Sequence, residues 1–266
     1  MRSEGVKYER EKSSSNIHIR KKRVIDYTKE GAKIFKITQF PYIVQVLQKG
    51  IKICSGTILS PDYILTAKVC ADEAKEEYSV ESGGLYMSKI INHPVVGVYI
   101  EGHLALLVIR PLIDFELPSL NRNILLFEGV LPPSTLATIV GWGPIRKSEA
   151  HTSARDVKAY SFRRAINVPI IDIHHCNEEY SKKYPHNFVL TFDNICTLDT
   201  SGKRGCTHED AGSALIVDDK LLGVLIFSGR IVSPYIPDVF IRVNDNEYNR
   251  WILSHVSPYS DFQRTK

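Results

Sequence analysis

From about Ala32 onward the chain is a succession of short apolar runs, each stopped by a turn signal. "YIVQVL" (Tyr42–Leu47) ends at "QKG", "SGTILS" at "PD", and "LALLVI" (Leu104–Ile109) at "RP". "YILTA", "TLATIVGWG" and "KLLGVLIF" continue the pattern. Runs of four to eight residues rich in Val, Ile, Leu and Tyr suit strands, because β-branched and aromatic side chains pack well on a pleated surface. Helical spacing stands out only in "DNEYNRWILSHV" (Asp245–Val256). There Asp245 or Asn246 is the cap, and Tyr248, Trp251, Ile252 and His255 share one face. Many short strands and one terminal helix predict an all-β barrel or sandwich.

A chain of 266 residues with 43% hydrophobic content can bury one large core or two small ones. No run reaches the roughly eighteen apolar residues of a membrane span, so no membrane span is expected. The net charge of +4 is too even to argue for nucleic acid. Charge is concentrated instead in residues 1–23, with eight Lys/Arg against three Glu, ending in "IRKKR". This polar, serine-containing stretch reads as a solvated basic leader. It contains no apolar signal-peptide core, so the sequence as it stands does not encode secretion. Five cysteines, at 54, 70, 176, 196 and 206, allow at most two bridges and leave one thiol over. None has zinc-ligand spacing, and "HHC" (His174–Cys176) lacks further ligands and reads as surface or loop, so neither metal nor cofactor is expected.

Seven segments in one order carry a family likeness. "RVIDY" (Arg23–Tyr27) is similar to a basic residue followed by I-V-G-G, and "QFPYIVQV" to a first barrel strand. "CSGTILSPDYILTAKVC" (Cys54–Cys70) is similar to C-G-G-S-L-I…V-L-T-A-A-H-C, and "HLALLVI" (His103–Ile109) to D-I-A-L-L-x-L. "VGWG" (Val140–Gly143) opens a second barrel, "CTHEDAGSAL" stands against C-x-G-D-S-G-G-P-L, and "IPDVFIRV" against P-G-V-Y-T-x-V. From about Val24 to Val256 the chain thus resembles the trypsin-like (chymotrypsin-fold, S1) serine proteases. The resemblance implies two packed six-stranded antiparallel β-barrels and a C-terminal α-helix. Barrel 1 is expected at about 24–132, barrel 2 at about 133–244 and the helix at about 245–256, with a tail at 257–266. It also implies the disulfides Cys54–Cys70 and Cys176–Cys196. Cys206 becomes the odd thiol, since no cysteine stands near Gly229–Arg230 to receive it.

The same register assigns the chemistry. Hydrolysis on this scaffold needs a serine to attack, a histidine to take its proton and an aspartate to orient the histidine. The resemblance puts Val69 at the histidine position, His103 at the aspartate position and Ala211 at the serine position. A hydrocarbon accepts no proton and a methyl attacks nothing. The backbone position that helps form the oxyanion hole holds Glu209, whose charge opposes a developing oxyanion. Ser213 paired with His103 or His208 is the conceivable replacement, but the sequence favours Ser213 as a substitute for a turn glycine. At the pocket floor stands Arg204 and on the pocket wall Asp238. We expect these two to form an ion pair, because each buried charge otherwise carries a heavy penalty. The substrate edge reads Ile226, Phe227, Ser228. At the activation-type junction Arg23, Val24 and Asp210 keep the family's residue types, although Asp26 and Tyr27 replace its glycines.

Two functions follow from these residues. One is a catalytically inactive serine protease homologue that binds other proteins, as adaptor, cofactor or decoy in a secreted immune or reproductive-fluid network. Homologues of this kind, many of them from arthropods, supply that expectation. The other is a hydrolase with a rebuilt site. The resemblance and the cysteine pairs imply an extracellular protein.

Overall fold

The computed structural model describes residues 33–35, 39–71, 77–83, 90–116, 121–132, 134–142, 163–184, 189–202, 204–206, 210–228, 233 and 235–260. A short strand β1 (Lys33–Phe35) precedes six strands, β2 (Ile43–Gln48), β3 (Ile51–Ile58), β4 (Tyr63–Ala67), β5 (Tyr78–Gly83), β6 (Ile90–Glu101) and β7 (Leu104–Ile109). These six close into a barrel in the order β2-β3-β4-β7-β6-β5. The next six are β8 (Leu136–Gly141), β9 (Arg163–Ile171), β10 (Asn194–Thr197), β11 (Ala214–Val217), β12 (Lys220–Ser228) and β13 (Asp238–Arg242). They run β9-β10-β13-β12-β11-β8 and close through a β8–β9 pairing. The architecture is the expected pair of antiparallel six-stranded barrels with a C-terminal helix.

Local chemistry sets the hairpins. Between β2 and β3, Lys49 and Gly50 both have positive φ, 50° and 76°, and Gln48 pairs with Ile51 across them. Asp218 and Asp219, at φ 50° and 56°, do the same between β11 and β12. Two consecutive positive φ values match the right-handed twist of the flanking strands, which is why such hairpins favour Gly, Asn and Asp. Along β5 the alternation expected of a barrel wall is plain, with Tyr78, Val80 and Ser82 buried and their neighbours part-exposed.

The structure departs from expectation at three places. First, a helix α1 (Ile173–Lys183) stands between β9 and β10 and carries "HHC": His174 and His175 are exposed, as a surface reading expects, but they sit on a helix and not a loop. Asp172 caps it by accepting from the amides of His174 and His175. Cys176 and Tyr180 form its buried face, and one of them is a cysteine, so the apolar stripe is short and easily overlooked. Second, β1 falls in the stretch assigned to the first barrel yet pairs with β9 of the second, with Ile34 opposite Arg164. Third, the C-terminal helix α2 (Asn246–Ser260) runs past Val256.

Asp245 Oδ1 accepts from the Glu247 amide at the start of α2. Tyr248, Ile252 and Val256 are buried in the first barrel's core cluster, so the last element of the chain returns to its first half. His255 lies 4.5 Å from Tyr99 and 5.7 Å from Trp251, ring centre to ring centre. That cluster extends across both barrels, taking in Val140, Ala211, Val224 and Ile241. A separate interior of the second barrel holds Ile139, Ile166, Leu215, Leu222 and Phe240.

The seam between the barrels is tightest at Gly212, where φ is 78° and a Cβ would collide with Ser55 O and Thr66 Oγ1. We expect Gly212→Ala to cost about 3 kcal/mol or more, the left-handed backbone penalty plus overpacking. Gly50→Ala, at similar φ but in open space, should cost only about 1 kcal/mol. Urea denaturation of both variants checks this; equal losses would show that the seam is not close-packed.

Candidate functional site

Beyond β4 the chain makes one turn of 3-10 helix, Lys68–Cys70. The Cys54–Cys70 disulfide ties it to β3, and the Lys68 amide donates to His103 O (2.8 Å) on the β6–β7 hairpin. Gly102 in that hairpin has φ 50°, and a Cβ there would strike the Tyr248 hydroxyl. The α2 helix therefore buttresses the hairpin from below. Burial pushes the Tyr248 phenol up, partly offset by the His103 amide that hydrogen-bonds its oxygen. With the backbone held this way, the Val69 side chain is 60% exposed and His103 is exposed. Ala67, Lys68, Val69, His103 and Ile226 together line a cleft of about 220 Å³. Lys68 stands where the motif quoted above carries alanine, so the cleft has a cation beside its valine.

The described residues Gly205, Cys206 and Asp210–Ile216 belong to the second barrel. Their first part is pinned by the Cys206 amide donating to Asp238 Oδ2 (2.8 Å) and by Ser228 Oγ donating to Cys206 O (2.8 Å). Cys206 is buried and outside both disulfides, the second of which is Cys176–Cys196. His208 and Glu209 lie outside the described residues, as do Arg23 and Val24. Asp210 is completely buried and Ala211 nearly so. The Ala211 carbonyl accepts from the Ser55 amide (3.0 Å), and the Gly212 amide donates to Leu225 O (2.9 Å). Ser213 is also completely buried. Its Oγ sits against Gly141 Cα, where a Cβ would collide with it, and has no hydrogen-bond partner among the described residues. The exposed His103 does not reach it. A serine–base pair between Ser213 and His103 is thus not assembled, and Ser213 fills the space above a glycine.

The expected ion pair between Arg204 and Asp238 is not what the chain makes. Arg204 Nε lies 3.5 Å from Asp199 Oδ2, and its Nη1 donates to Asn167 O (2.8 Å). Asp238, buried at 2% exposure, faces the Cys206 amide instead. The reason is local: the turn from Asp199 to Arg204 closes through the Arg204 amide on Asp199 Oδ2 (2.8 Å) and Ser201 Oγ on the same oxygen (2.6 Å). Five residues of turn bring Arg204 back beside Asp199 before it can reach the neighbouring strand. Phe227 meanwhile packs on Tyr180 of α1 at 5.9 Å, and Ile226 falls at the bulge where the β12–β13 register shifts.

Residues 31–252 match the family described as Trypsin. The chain belongs to the trypsin family. Trypsin-family relatives include the venom peptide isomerase heavy chain of Agelenopsis aperta, 25% identical over 85% of this chain and 99% of its own length. Granzyme A of Bos taurus is 25% identical over 79% of this chain and 82% of its own length. Among solved structures, the scabies mite inactivated protease paralogue S-D1 is similar, with a TM-score of 0.68, 22% identity and coverage of 85% of this chain and 96% of that one. Paralogue S-I1 has a TM-score of 0.66 at 21% identity, covering 84% and 98%. No described helix of this trypsin-family chain is long and apolar enough to cross a membrane.

Two functional contributors escaped the sequence reading. Tyr248 was assigned to a helix face, not to the hairpin it supports. Asp199 lies in "TLDTSGKR", whose Asp and Gly announce a turn but not its partner. Burial raises the Asp199 carboxyl, but the Ser201 hydroxyl, the Arg204 and Ser201 amides and the Arg204 charge outweigh it and hold it at about 2. Because this pKa lies below its ordinary value, the stabilisation is present at neutral pH and is lost as pH falls from near 3.8 toward 2. Asp199→Asn should lower stability at pH 7 by about 1–2 kcal/mol through weakened charge-assisted hydrogen bonds. It should also flatten the acid limb in that window. Thermal scans at pH 7 and pH 2.5 check both; an unchanged acid limb would place the carboxylate's stabilisation elsewhere.

Proposed function

We propose that this chain is a catalytically inactive member of the trypsin family that works by binding other proteins through the cleft at Lys68, Val69, His103 and Ile226. One observation carries the reading. Where the family register calls for a proton acceptor, an orienting carboxylate and a nucleophile, the chain presents a solvent-exposed valine, an exposed histidine and a buried alanine. Losing the whole triad leaves only about 10³–10⁴ over water, from binding and oxyanion contacts, and Glu209 in the register works against even that. Ser213 is buried and has no hydrogen-bond partner among the described residues, His103 included, which argues against a substitute site.

The likeness in fold to structures titled inactivated protease paralogues is consistent with this reading. Scaffold and site are separable: cysteine pairs, strands and terminal helix are kept while the chemistry is gone. The role that follows is adaptor, cofactor or decoy toward an active protease or its substrate. The two disulfides and the family point to an extracellular setting.

The test has two arms. A fluorophosphonate probe, which marks only an activated serine, should leave the wild-type chain unlabelled, and pooled peptide substrates should remain uncut. Labelling that vanishes in Ser213→Ala would overturn the reading. In the second arm, affinity capture from native fluid is compared between wild type and Val69→Glu. The surface change at Val69 should leave thermal stability intact and weaken the captured complex at least about tenfold, the scale of a contact central to an interface. A complex indifferent to Val69 would move the binding surface off the cleft.

A further inference from the structure

A buried polar chain in the first barrel lies well away from the cleft residues and plays no part in the reading above. His93 on β6 is 1% exposed and Ser82 on β5 is 2% exposed. Ser82 Oγ lies 2.7 Å from His93 Nε2, and His93 Nδ1 lies 2.6 Å from Pro111 O. A carbonyl only accepts, so Nδ1 carries the ring's hydrogen and donates to Pro111. Nε2 is then the bare nitrogen of a neutral imidazole and accepts from the Ser82 hydroxyl. The tautomer follows from the partners.

Pro111 belongs to a strap that follows β7. The Arg110 amide donates to Pro94 O (3.1 Å), beside His93, and the Ile113 amide donates to Pro61 O (2.7 Å) on the β3–β4 turn. Residues Arg110–Ile113 thus cross the end of the barrel, and the Pro111 carbonyl closes them over the imidazole.

We propose that His93 is an acid sensor: a proton on its ring unfastens the Arg110–Ile113 strap and loosens the corner of the barrel formed by β5 and β6. Protonation at Nε2 turns that nitrogen from acceptor into donor, facing a hydroxyl that was itself donating. Ser82 must rotate to accept, and its own hydrogen then needs another acceptor in a closed space. The Nδ1–H···O=C bond to Pro111 survives, so what changes is one hydroxyl and one unscreened positive charge.

Among the described residues of the strands and strap around it, no acidic side chain is paired with the ring. On β5, Glu81 alternates to the face opposite Ser82. On β6 no residue from Ile90 to Ile100 is acidic or basic apart from His93, and on β7 none from Leu104 to Ile109 is. On the strap, Arg110 is already paired with Asp62 of the β3–β4 turn at 3.3 Å, and Asp114 lies beyond the strap with an oxygen accepting from the Glu116 amide. Burial accordingly holds the ring's proton affinity below its ordinary value of 6.5, opposed only by the Pro111 bond. A lowered histidine pKa means the unfolded or opened form binds the proton better. Stability is therefore whole above pH 6.5 and declines as pH falls from 6.5 to the folded-state pKa. Lifting the strap gives up the Pro111 bond but lets water reach the ring, whereas parting β5 from β6 would break a ladder of five residue pairs from Ser79–Pro94 to Gly83–Ile90.

Amide hydrogen exchange of the intact chain, corrected for the intrinsic pH dependence of exchange, tests this at pH 7.5 and pH 5. In the wild type, opening at the Arg110 and Ile113 amides should increase about tenfold for each pH unit that the ring's pKa lies below 6.5, up to a ceiling of about thirtyfold at pH 5. Second-barrel amides such as Ile195 should not respond. In His93→Gln, whose amide can still donate to Pro111, the response should vanish. Should that variant not fold, Ser82→Ala keeps the ring but removes the hydroxyl that favours its neutral form. There the ring's NMR titration should move up toward 6.5 and the strap's acid response shrink with it. A strap that exchanges alike at both pH values, or an acid response retained in His93→Gln or undiminished in Ser82→Ala, overturns the proposal.

Discussion

The two barrels are joined through Ser55. Its amide donates to the Ala211 carbonyl, its carbonyl accepts from Thr66 Oγ1 (2.8 Å), and its hydroxyl accepts from the Trp142 amide (3.1 Å). Gly212 lies so close to the Ser55 carbonyl that no side chain fits between them. Strands β3, β4 and β8 and the Asp210–Ser213 turn are thereby held in one arrangement. Each of these contacts uses a backbone group on at least one side, and the two side chains that take part, the Ser55 and Thr66 hydroxyls, belong to the first barrel. None involves the side chain at position 211. An oxygen there is worth everything to hydrolysis and nothing to the seam, which explains how the chain keeps a trypsin-family fold with a methyl in its place.

What the fold then presents at the cleft is different in kind from a proton relay. Lys68, Val69, His103 and Ile226 offer an exposed hydrocarbon surface edged by a lysine and an imidazole. Isolated exposed valines are ordinary, but this one sits in a concavity whose walls are fixed by a disulfide and by the Tyr248 buttress. Rigid walls reduce the ordering cost of binding, so a small apolar contact counts for more here than on a mobile loop. Specificity and affinity in the proposed role come from shape and burial.

The fold was legible where a strand's burial pattern is continuous. "IVQVL", "YILTA", "LALLVI" and "LLGVLIF" each lie almost wholly in a core, so composition alone marks them. It was not legible in β6, where Asn92, His93 and Pro94 interrupt the apolar alternation and His93 turns inward to satisfy Ser82 and Pro111. Nor was α1, whose buried face rests on a cysteine and a tyrosine. Single residues followed the same division. That Ala211 cannot attack and Val69 cannot accept a proton is chemistry read from the residue type.

The partner of Arg204 was misjudged because two acids compete for it, and the winner depends on how the Asp199–Arg204 turn closes. The sequence by itself determined the fold class, the residue types Val69, His103 and Ala211 at the positions that the resemblance aligns with a triad, and the odd count of thiols. Each is a property of residue identity and order, insensitive to small changes in geometry. Tertiary structure alone decided that Asp199 holds Arg204, that Ser213 is sealed away from His103, that β1 joins the second barrel, and that a histidine is buried between Ser82 and Pro111 in the first. Those outcomes depend on which polar groups meet within hydrogen-bond distance, and a bond that short forms or fails over about an ångström.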